Sequence, residues 1–274
     1  MPVAGGQAGG TAAPIVTLTT DFGLSDAFVG LVKAGVLGRA PGARIIDLTH
    51  SVPSYDVEAG AFWIERSFRF FPAGTLHLGV VDPGVGTARR ILLVEHAGQL
   101  FLGPDNGLLG PIASLDGAVA RTVTRGFLGA IGLTRASPTF HGRDLFAPLA
   151  GLLACGTCSP GDVGPVVEDW QRPPWRRHLE TPDGVLGRVI IIDRFGNCFS
   201  NIDSESTVKY ENPVGLAGGH ELPLVRTYGE RPDGSLVILA NAFGVLEVAC
   251  VGGSAALSLG LRVGDQVDLR PTRA

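Results

Sequence analysis

Two loops of the sequence carry residues whose types and spacing could do polar catalysis. Asp82 stands in GVVDPGVGTARR, where a rigid loop of proline and glycine leads to Arg89. His141 stands in TFHGRDLFAP, directly before an apolar helical pattern, and His50 is a weaker candidate after a strand pattern. A carboxylate paired with an arginine beside a ligand has a lowered pKa and sets up a fixed electric field. An ion pair with a purely structural role is the alternative.

A second group of residues is suited to binding a nucleoside. Asp21 ends a β-branched apolar run beside a glycine, where a carboxylate can accept hydrogen bonds from a ribose diol. In DRFGN, Phe195 could stack on a flat ring while Asn197 reads its polar edge. A turn built on Asx side chains is the alternative for this segment. Three later residues could complete the binding wall, the last two through backbone amides that face a base: Asn241, Val251 and Gly252.

The elements that must position these residues alternate between strand and helix patterns in the first half of the chain. Three apolar, β-branched runs predict strands: 15–20, 43–49 and 75–81. Because crossovers of helical length join parallel strands, we expect an α/β domain over 15–165 with a mostly parallel sheet. Asp21 and Asp82 follow the carboxyl ends of such strands, where open sheets bind ligands. A hairpin around Ala97 is expected next.

Composition changes at residues 166–184, where prolines, tryptophans and clustered charges interrupt the pattern and predict a linker. Beyond it, residues 185–274 contain short strand patterns separated by turn residues and no helical crossover, which predicts an all-β barrel domain. Residues 1–14 lack the charged and apolar regions of a signal peptide, and we expect a flexible tail.

Composition favours a cytoplasmic protein that acts on a small molecule. The chain of 274 residues has 22 Lys and Arg against 26 Asp and Glu, so it offers no basic surface for nucleic acid or an anionic membrane. No uninterrupted apolar run reaches the roughly 18 residues of a membrane span. The CxxC pair of Cys155 and Cys158 has no second pair or HxxxH to complete a metal site, and we interpret it as two buried thiols.

Seven segments between residues 15 and 269 resemble, in order, those of the S-adenosyl-L-methionine (SAM) hydroxide adenosyltransferase family. They are TTDFGLSDAFVGLVKAGV, HSVPSYDVEAGA, VVDPGVGTARR, GPDNGLLGP, TFHGRDLFAP, DRFGNCFSNI and NAFGVLEVACVGGSAA. The family is related to enzymes that fluorinate or chlorinate the same substrate. The resemblance implies hydrolysis of SAM to adenosine and L-methionine by attack of water at C5′, without metal or other cofactor. It also implies a homotrimer that binds the substrate between neighbouring subunits.

The same resemblance assigns roles to individual residues. It makes Asp82, Arg89 and His141 the catalytic triad. It assigns the substrate contacts as follows: Asp21 to the ribose hydroxyls, Tyr55 to the adenosine, Phe195 and Asn197 to the adenine, Asp193 to the methionine amino group, and Asn241 with Phe243 to the remaining wall. Relatives often have Asn-Ser where this chain has Asn241-Ala242, so Ala242 lacks the hydroxyl expected at the methionine carboxylate.

Three alternatives stay open from the sequence. A halogenase would need a small, largely uncharged halide pocket, and Asp82 would repel the anion. A SAM or adenosine sensor without catalysis would keep the binding residues but have no use for the triad. A metal phosphoesterase could be built from Asp21, Asp82 and His141.

Overall fold

The computed structural model describes residues 13–172 and 178–272. The chain divides into two compact units, Met1–Pro174 and Trp175–Ala274, called here the N-terminal and C-terminal units. Residues 1–12 of the predicted tail and 173–177 of the predicted linker lie outside the described residues, so both assignments stay predictions. Within the described part of the chain, every helix is too short or too polar to cross a membrane.

The N-terminal unit is built on a six-stranded sheet. Its strands are β1 (Ile15–Thr20), β2 (Arg44–Thr49), β3 (Leu76–Val80), β4 (Ile91–His96), β5 (Gln99–Pro104) and β6 (Val119–Thr122). They lie in the order β2-β1-β3-β5-β4-β6. Parallel pairs join β1 to β2, β1 to β3 and β3 to β5, whereas β4 runs antiparallel to both β5 and β6.

The expected mostly parallel sheet is therefore wrong, and the sheet is mixed. The physical reason is the predicted hairpin itself, which is present. Ala97 and Gly98 both have positive φ angles, of 50° and 72°, as a tight two-residue turn between antiparallel strands requires. This turn reverses the chain inside the sheet, and β6 then adds to the antiparallel edge.

Among the residues that the structure describes, five α-helices accompany this sheet: α1 (Phe28–Leu37), α2 (Val57–Ser67), α3 (Gly110–Ala113), α4 (Arg125–Ala130) and α5 (Ala147–Ala154). Asp56 caps α2, since its side chain accepts a hydrogen bond of 2.9 Å from the backbone N–H of Ala59. Buried apolar residues of α1 and α5, such as Val32 and Leu149, pack with the inner face of the sheet in one core. That burial fixes the strand ends from which the polar candidates project.

The C-terminal unit is a closed seven-stranded β-barrel, which confirms the predicted all-β barrel. A short strand, β7 (Leu179–Thr181), lies outside the closed ring and pairs with β8 (Gly184–Ile192). The seven barrel strands are β8 itself, β9 (Cys198–Asp203), β10 (Val214–Ala217), β11 (His220–Val225), β12 (Leu236–Ala240), β13 (Val245–Cys250) and β14 (Gln266–Arg270). The order is β14-β10-β11-β12-β13-β9-β8-β7, and pairing of β14 with β8 closes the barrel. One short helix, α6 (Ala255–Leu259), follows β13. Apolar side chains such as Leu246 and Val248 fill the interior.

The interpretation of the CxxC pair as two buried thiols is wrong. Cys155 is exposed and Cys158 is half-buried, because both follow the end of α5 instead of packing inside it. The buried thiols are Cys198 and Cys250, which lie on strands of the barrel.

Two buried threonines of β1 each bond to a buried histidine. The Thr17 hydroxyl lies 2.8 Å from His77 Nδ1, and His77 Nε2 lies 2.5 Å from Gln99 Oε1. The His77 ring stacks on Phe101 with ring centroids 4.8 Å apart. Burial lowers the pKa of His77 from 6.5 to about 4, and only its contact with Gln99 opposes the shift.

This buried histidine predicts a loss of stability in mild acid. Since the pKa is 6.5 in the unfolded chain and about 4 in the fold, the unfolded state binds more protons between those pH values. Stability is therefore full above pH 6.5 and falls as the pH drops toward 4, by about 3 kcal/mol in all at ~1.4 kcal/mol per unit. Urea unfolding of wild type and His77→Gln at several pH values measures this contribution. Substitution of the exposed His220 by Gln is the control, and an unchanged acid slope in His77→Gln would contradict the assignment.

Candidate active site

A cavity of about 260 Å³ lies at the carboxyl ends of β1 and β3 in the N-terminal unit. Asp21 and Asp82, which follow these two strands, line it together with His141. Three aromatic rings in mutual contact form part of its wall, with Phe140 edge-on to both Phe22 and Phe28. The cavity thus combines two carboxylates and an imidazole with an apolar wall, which is the usual composition of a small-molecule site.

The three residues of the predicted triad are in contact. Arg89 Nε donates to Asp82 Oδ1 at 2.7 Å and to Oδ2 at 2.9 Å, and Arg89 Nη2 also bonds to Oδ2. Arg89 Nη2 lies 3.1 Å from His141 Nδ1. The two charged side chains are only 9% and 5% exposed, so the ion pair is nearly removed from water. A guanidinium held this way is a fixed positive group between a carboxylate and an imidazole.

Hydrogen bonds between residues close in sequence determine the conformation of the loop between Asp82 and Arg89. Val85 N–H donates to the Asp82 carbonyl at 3.2 Å, and the Thr87 hydroxyl donates to the Gly84 carbonyl at 2.7 Å. Gly86 has a φ of +79°, and a Cβ at this position would collide with the carbonyl oxygen of Pro138. Glycine at 86 therefore lets the arginine loop pack against the segment that leads to His141.

His141 precedes a five-residue π-helical turn, Gly142–Phe146, that continues into α5. Such turns are rare in proteins, and those that do occur are often found at functional sites. Burial lowers the pKa of His141, and the charge of Arg89 lowers it further against the opposing effects of Asp82 and Asp144. Because Nδ1 faces an arginine N–H, the neutral imidazole carries its proton on Nε2. At neutral pH His141 is thus a hydrogen-bond donor through Nε2.

The adjacent Arg90 has a separate set of partners. Its Nε donates to Asp105 Oδ2 at 2.7 Å, and its Nη1 donates to Asp169 Oδ1 at 2.8 Å. The buried Asp105 also accepts the N–H of Gln171 at 2.7 Å. Arg90 therefore ties the end of the N-terminal unit to the loop after β5, while Arg89 contacts two residues that line the cavity, Asp82 and His141. Sequence reasoning missed Asp105, although its place in GPDNGLLGP after a strand was a signal.

Asp21 and Tyr55 meet at the rim of the same cavity. The backbone N–H of Tyr55 donates to Asp21 Oδ2 at 2.9 Å, which leaves the other carboxylate oxygen for a ligand. Tyr55 has a positive φ of 67° and the residue is 72% exposed. A β2–α2 loop in this uncommon conformation presents the ring at the cavity mouth.

A second cavity, of about 340 Å³, lies on the C-terminal unit. It is lined by five of the predicted binding residues: Asp193, Phe195, Asn197, Asn241 and Phe243. Asp193 Oδ1 accepts the backbone N–H groups of Phe195 and Asn197, both at 2.9 Å, so the predicted Asx turn is present. The turn projects Phe195 outward with 74% of its surface exposed, and a flat ligand could stack on this ring.

Two residues of this cavity were not identified from the sequence. Tyr228 donates its hydroxyl hydrogen to Glu247 Oε1 at 2.5 Å, and Glu247 is only 2% exposed. Burial raises the pKa of Glu247, against the lowering effect of the Tyr228 and Asn241 contacts. The signal was a single acidic residue inside the apolar strand sequence VLEVAC. Asn241 Oδ1 accepts the N–H of Phe243 at 2.9 Å.

Val251 and Gly252 line neither of the two cavities. The Val251 N–H already donates to the carbonyl of Ser235 at 2.9 Å, so this amide is engaged inside the barrel. A ligand contact for both residues stays a prediction. Over residues 13–172 and 178–272, no three His, Cys, Asp or Glu side chains are grouped as metal ligands.

The protein has two domains, a mixed-sheet domain followed by a seven-stranded barrel. Each domain has a cavity lined by acidic and aromatic residues, which suits a small ligand. Residues 16–164 match the model of the SAM hydroxide adenosyltransferase N-terminal domain, and residues 187–268 match that of the C-terminal domain. The chain belongs to the SAM hydroxide adenosyltransferase family, which confirms the resemblance noted in the sequence.

Similar proteins include hydrolases and a halogenating enzyme. The (R)-S-adenosyl-L-methionine hydrolase of Salinispora arenicola is 41% identical over 93% of this chain and 97% of its own. The crystal structure of an uncharacterized conserved protein from Thermotoga maritima is 32% identical, with a TM-score of 0.83 over 93% of this chain and 99% of its own. A fluorinase from Actinoplanes sp. is 28% identical over 92% of this chain and 95% of its own.

The buried ion pair predicts strong energetic coupling between Asp82 and Arg89. Removing either partner alone leaves a nearly buried charge unpaired, whereas removing both does not. In a double-mutant cycle of Asp82→Ala and Arg89→Ala, urea unfolding should give an interaction free energy of about 1–3 kcal/mol. Asp82→Ala combined with Arg90→Ala is the control, expected to be additive within ~0.5 kcal/mol because the two residues share no partner. Equal coupling in both cycles would contradict this account of the pair.

Proposed function

We propose that this protein hydrolyses SAM to adenosine and L-methionine by attack of water at C5′. The observation that carries the proposal is the contact of Asp82, Arg89 and His141 at one cavity, in a chain of the SAM hydroxide adenosyltransferase family. Relatives named (R)-S-adenosyl-L-methionine hydrolase support the same reaction. Because their name specifies the (R) epimer at sulfur, we expect this chain to prefer that epimer.

The reaction needs help at the nucleophile and little at the leaving group. The C5′–O bond forms as the C5′–S bond breaks, the bonding pair goes to sulfur, and methionine leaves as a neutral thioether. No acid or metal is required to stabilise such a leaving group, so we propose a reaction without metal or other cofactor. Water must lose one proton overall, and the site has to stabilise hydroxide character as that proton leaves.

The triad geometry supports distinct roles for its members. The Asp82 carboxylate keeps lone pairs beyond its bonds to Arg89, so it can orient the water and accept the proton that the water loses. The Nε2–H of His141 donates to the same water oxygen and stabilises its developing charge. Arg89 contacts both residues and fixes their positions relative to each other. Combining hydroxide character with a sulfonium destroys charge, so a partly dehydrated cavity favours the step.

The residues that line each cavity support a proposal for the part of SAM that each would bind. In the N-terminal cavity, Asp21 would bind the ribose hydroxyls and Tyr55 would cover the adenosine. In the C-terminal cavity, Phe195 and Asn197 would bind the adenine, and Asp193 the methionine ammonium. Asn241 and Phe243 complete that wall. A homotrimer with the substrate at the subunit interface, and a cytoplasmic location, remain part of this proposal.

The proposal predicts the fate of oxygen in the product. Incubation with each sulfur epimer of SAM in ¹⁸O-water, with and without chloride, should give adenosine labelled at the 5′ oxygen plus methionine, as measured by mass spectrometry. A chelator added to a parallel reaction should not change the rate. A 5′-chloro product would favour the halogenase, intact SAM the sensor, and loss of activity with the chelator a metal enzyme.

Triad substitutions should reduce turnover far more than binding. We expect Asp82→Ala and His141→Ala to lower kcat by about 10²-fold or more, since positioned proton acceptors and donors contribute about that much. KM for SAM should stay within about threefold, because a group that acts only on the nucleophile leaves ground-state binding unchanged. Arg89→Lys should also lower kcat, because a single ammonium cannot reproduce the fork that holds both Asp82 and His141. Arg90→Lys is its matched control and should keep kcat near that of wild type. An equal loss of kcat and binding would count against the catalytic roles.

A further inference from the structure

We propose that Thr20, His50 and Asp47 are positioning residues that fix the turn carrying Asp21. The inference rests on the proposed function, in which Asp21 binds the ribose of the substrate. None of these three side chains lines the cavity, and the reaction steps above do not use them.

The three residues form a row of polar contacts beside the cavity. The Thr20 hydroxyl lies 2.8 Å from His50 Nδ1, and His50 Nε2 lies 3.0 Å from Asp47 Oδ1. Lys33 Nζ donates to the other Asp47 oxygen at 2.7 Å. Thr20 is 1% exposed and His50 is 4% exposed, so the inner end of the row is buried and the outer end reaches solvent.

An acid, an imidazole and a hydroxyl in this order resemble the arrangement that activates a serine nucleophile. Here the hydroxyl is buried below the end of β1, so it cannot reach a ligand in the cavity. Because the hydroxyl end of the row is enclosed, the row can only hold backbone and side chains in place. The row is therefore interpreted as a support for neighbouring residues.

The direction of each hydrogen bond follows from the chemistry of the groups. Burial raises the pKa of Asp47, but the contacts from Lys33 and His50 outweigh it, so the pKa lies below its ordinary value and the carboxylate only accepts. Because His50 Nε2 faces this carboxylate, we assign a ring proton to Nε2, and Nδ1 then accepts the Thr20 O–H. The Thr20 oxygen in turn accepts the backbone N–H of Phe22 at 3.3 Å.

The row ends on the two loops that form one rim of the cavity. The His50 carbonyl accepts the N–H of Gly23 at 2.8 Å, and Asp21 Oδ2 accepts the N–H of Tyr55 at 2.9 Å. His50 thus contacts the β1–α1 turn from both its side chain and its backbone, on either side of Asp21. Loss of the Thr20 hydroxyl would free both the Phe22 N–H and the His50 ring. Thr20 and Phe22 are the residues on either side of Asp21.

The same strand provides a matched control. Thr17 also lies on β1, is also buried, and its hydroxyl is also 2.8 Å from a histidine Nδ1, that of His77. The far side of His77 contacts Gln99 within the sheet, and neither residue lines the cavity. A change at Thr17 therefore removes the same kind of bond without touching the turn of Asp21.

The test compares Thr20→Val with Thr17→Val in the full-length protein, using SAM turnover and thermal unfolding. We expect Thr20→Val to raise KM for SAM about tenfold or more, with kcat changed less than about threefold, because a ground-state binding contact is lost. Thr20→Ser keeps the hydroxyl and should bring KM back to within about threefold of wild type. Thr17→Val should lower Tm to a similar degree and leave KM unchanged.

A second pair of variants and a second readout separate the outcomes. His50→Gln should raise KM as Thr20→Val does, whereas His77→Gln should not. If all four changes lower Tm and none moves KM, the row is merely structural and the inference is overturned. The affinity of the same variants for adenosine, measured by calorimetry, tests the positioning role even if the protein does not turn over SAM. If the wild type does not turn over SAM but Thr20→Val binds adenosine more weakly than the wild type, the proposed hydrolysis is overturned and the positioning role is supported. If the wild type does not bind adenosine, both are overturned.

Discussion

The rest of the candidate site depends on one constraint, the need to compensate a carboxylate that is almost removed from water. Asp82 lies at the buried end of the central strand β3, and an unpaired charge there would be strongly unfavourable. Arg89 satisfies it through a loop only a few residues long, and that loop fits against the His141 segment only because residue 86 is glycine. The requirement of one charge thus determines the geometry of the triad.

The same constraint shapes the chemistry that the site can perform. A carboxylate already bonded to a guanidinium is held in one orientation, so little reorganisation is needed when a water molecule reacts beside it. The guanidinium also occupies His141 Nδ1, which makes the imidazole a donor and not a base. In the proposed reaction, proton acceptance would then fall to Asp82, and an anion such as a halide would meet a carboxylate at the place proposed for the water.

Local sequence signals predicted the parts of the fold that local forces determine. The strands β1 and β3, the hairpin at Ala97 and the polar residues after each strand follow from hydrophobic periodicity and turn chemistry. The mixed order of the sheet did not follow, because strand neighbours are chosen by packing between distant segments. Glu247 escaped notice for a similar reason, since its partner Tyr228 lies on a separate turn and only the folded barrel brings them together.

The two threonine–histidine pairs of β1 show what the sequence could not predict. His50 follows an apolar strand pattern and His77 lies within one, but this difference in position does not distinguish the roles of the two rings in the fold. Their second ring nitrogens do: His77 meets a neutral amide inside the sheet, and His50 approaches a charged aspartate at its edge. The first environment excludes the protonated ring and affects stability alone. The second holds a ring next to the turn of Asp21, so an identical bond on the same strand serves the core in one case and the ligand cavity in the other.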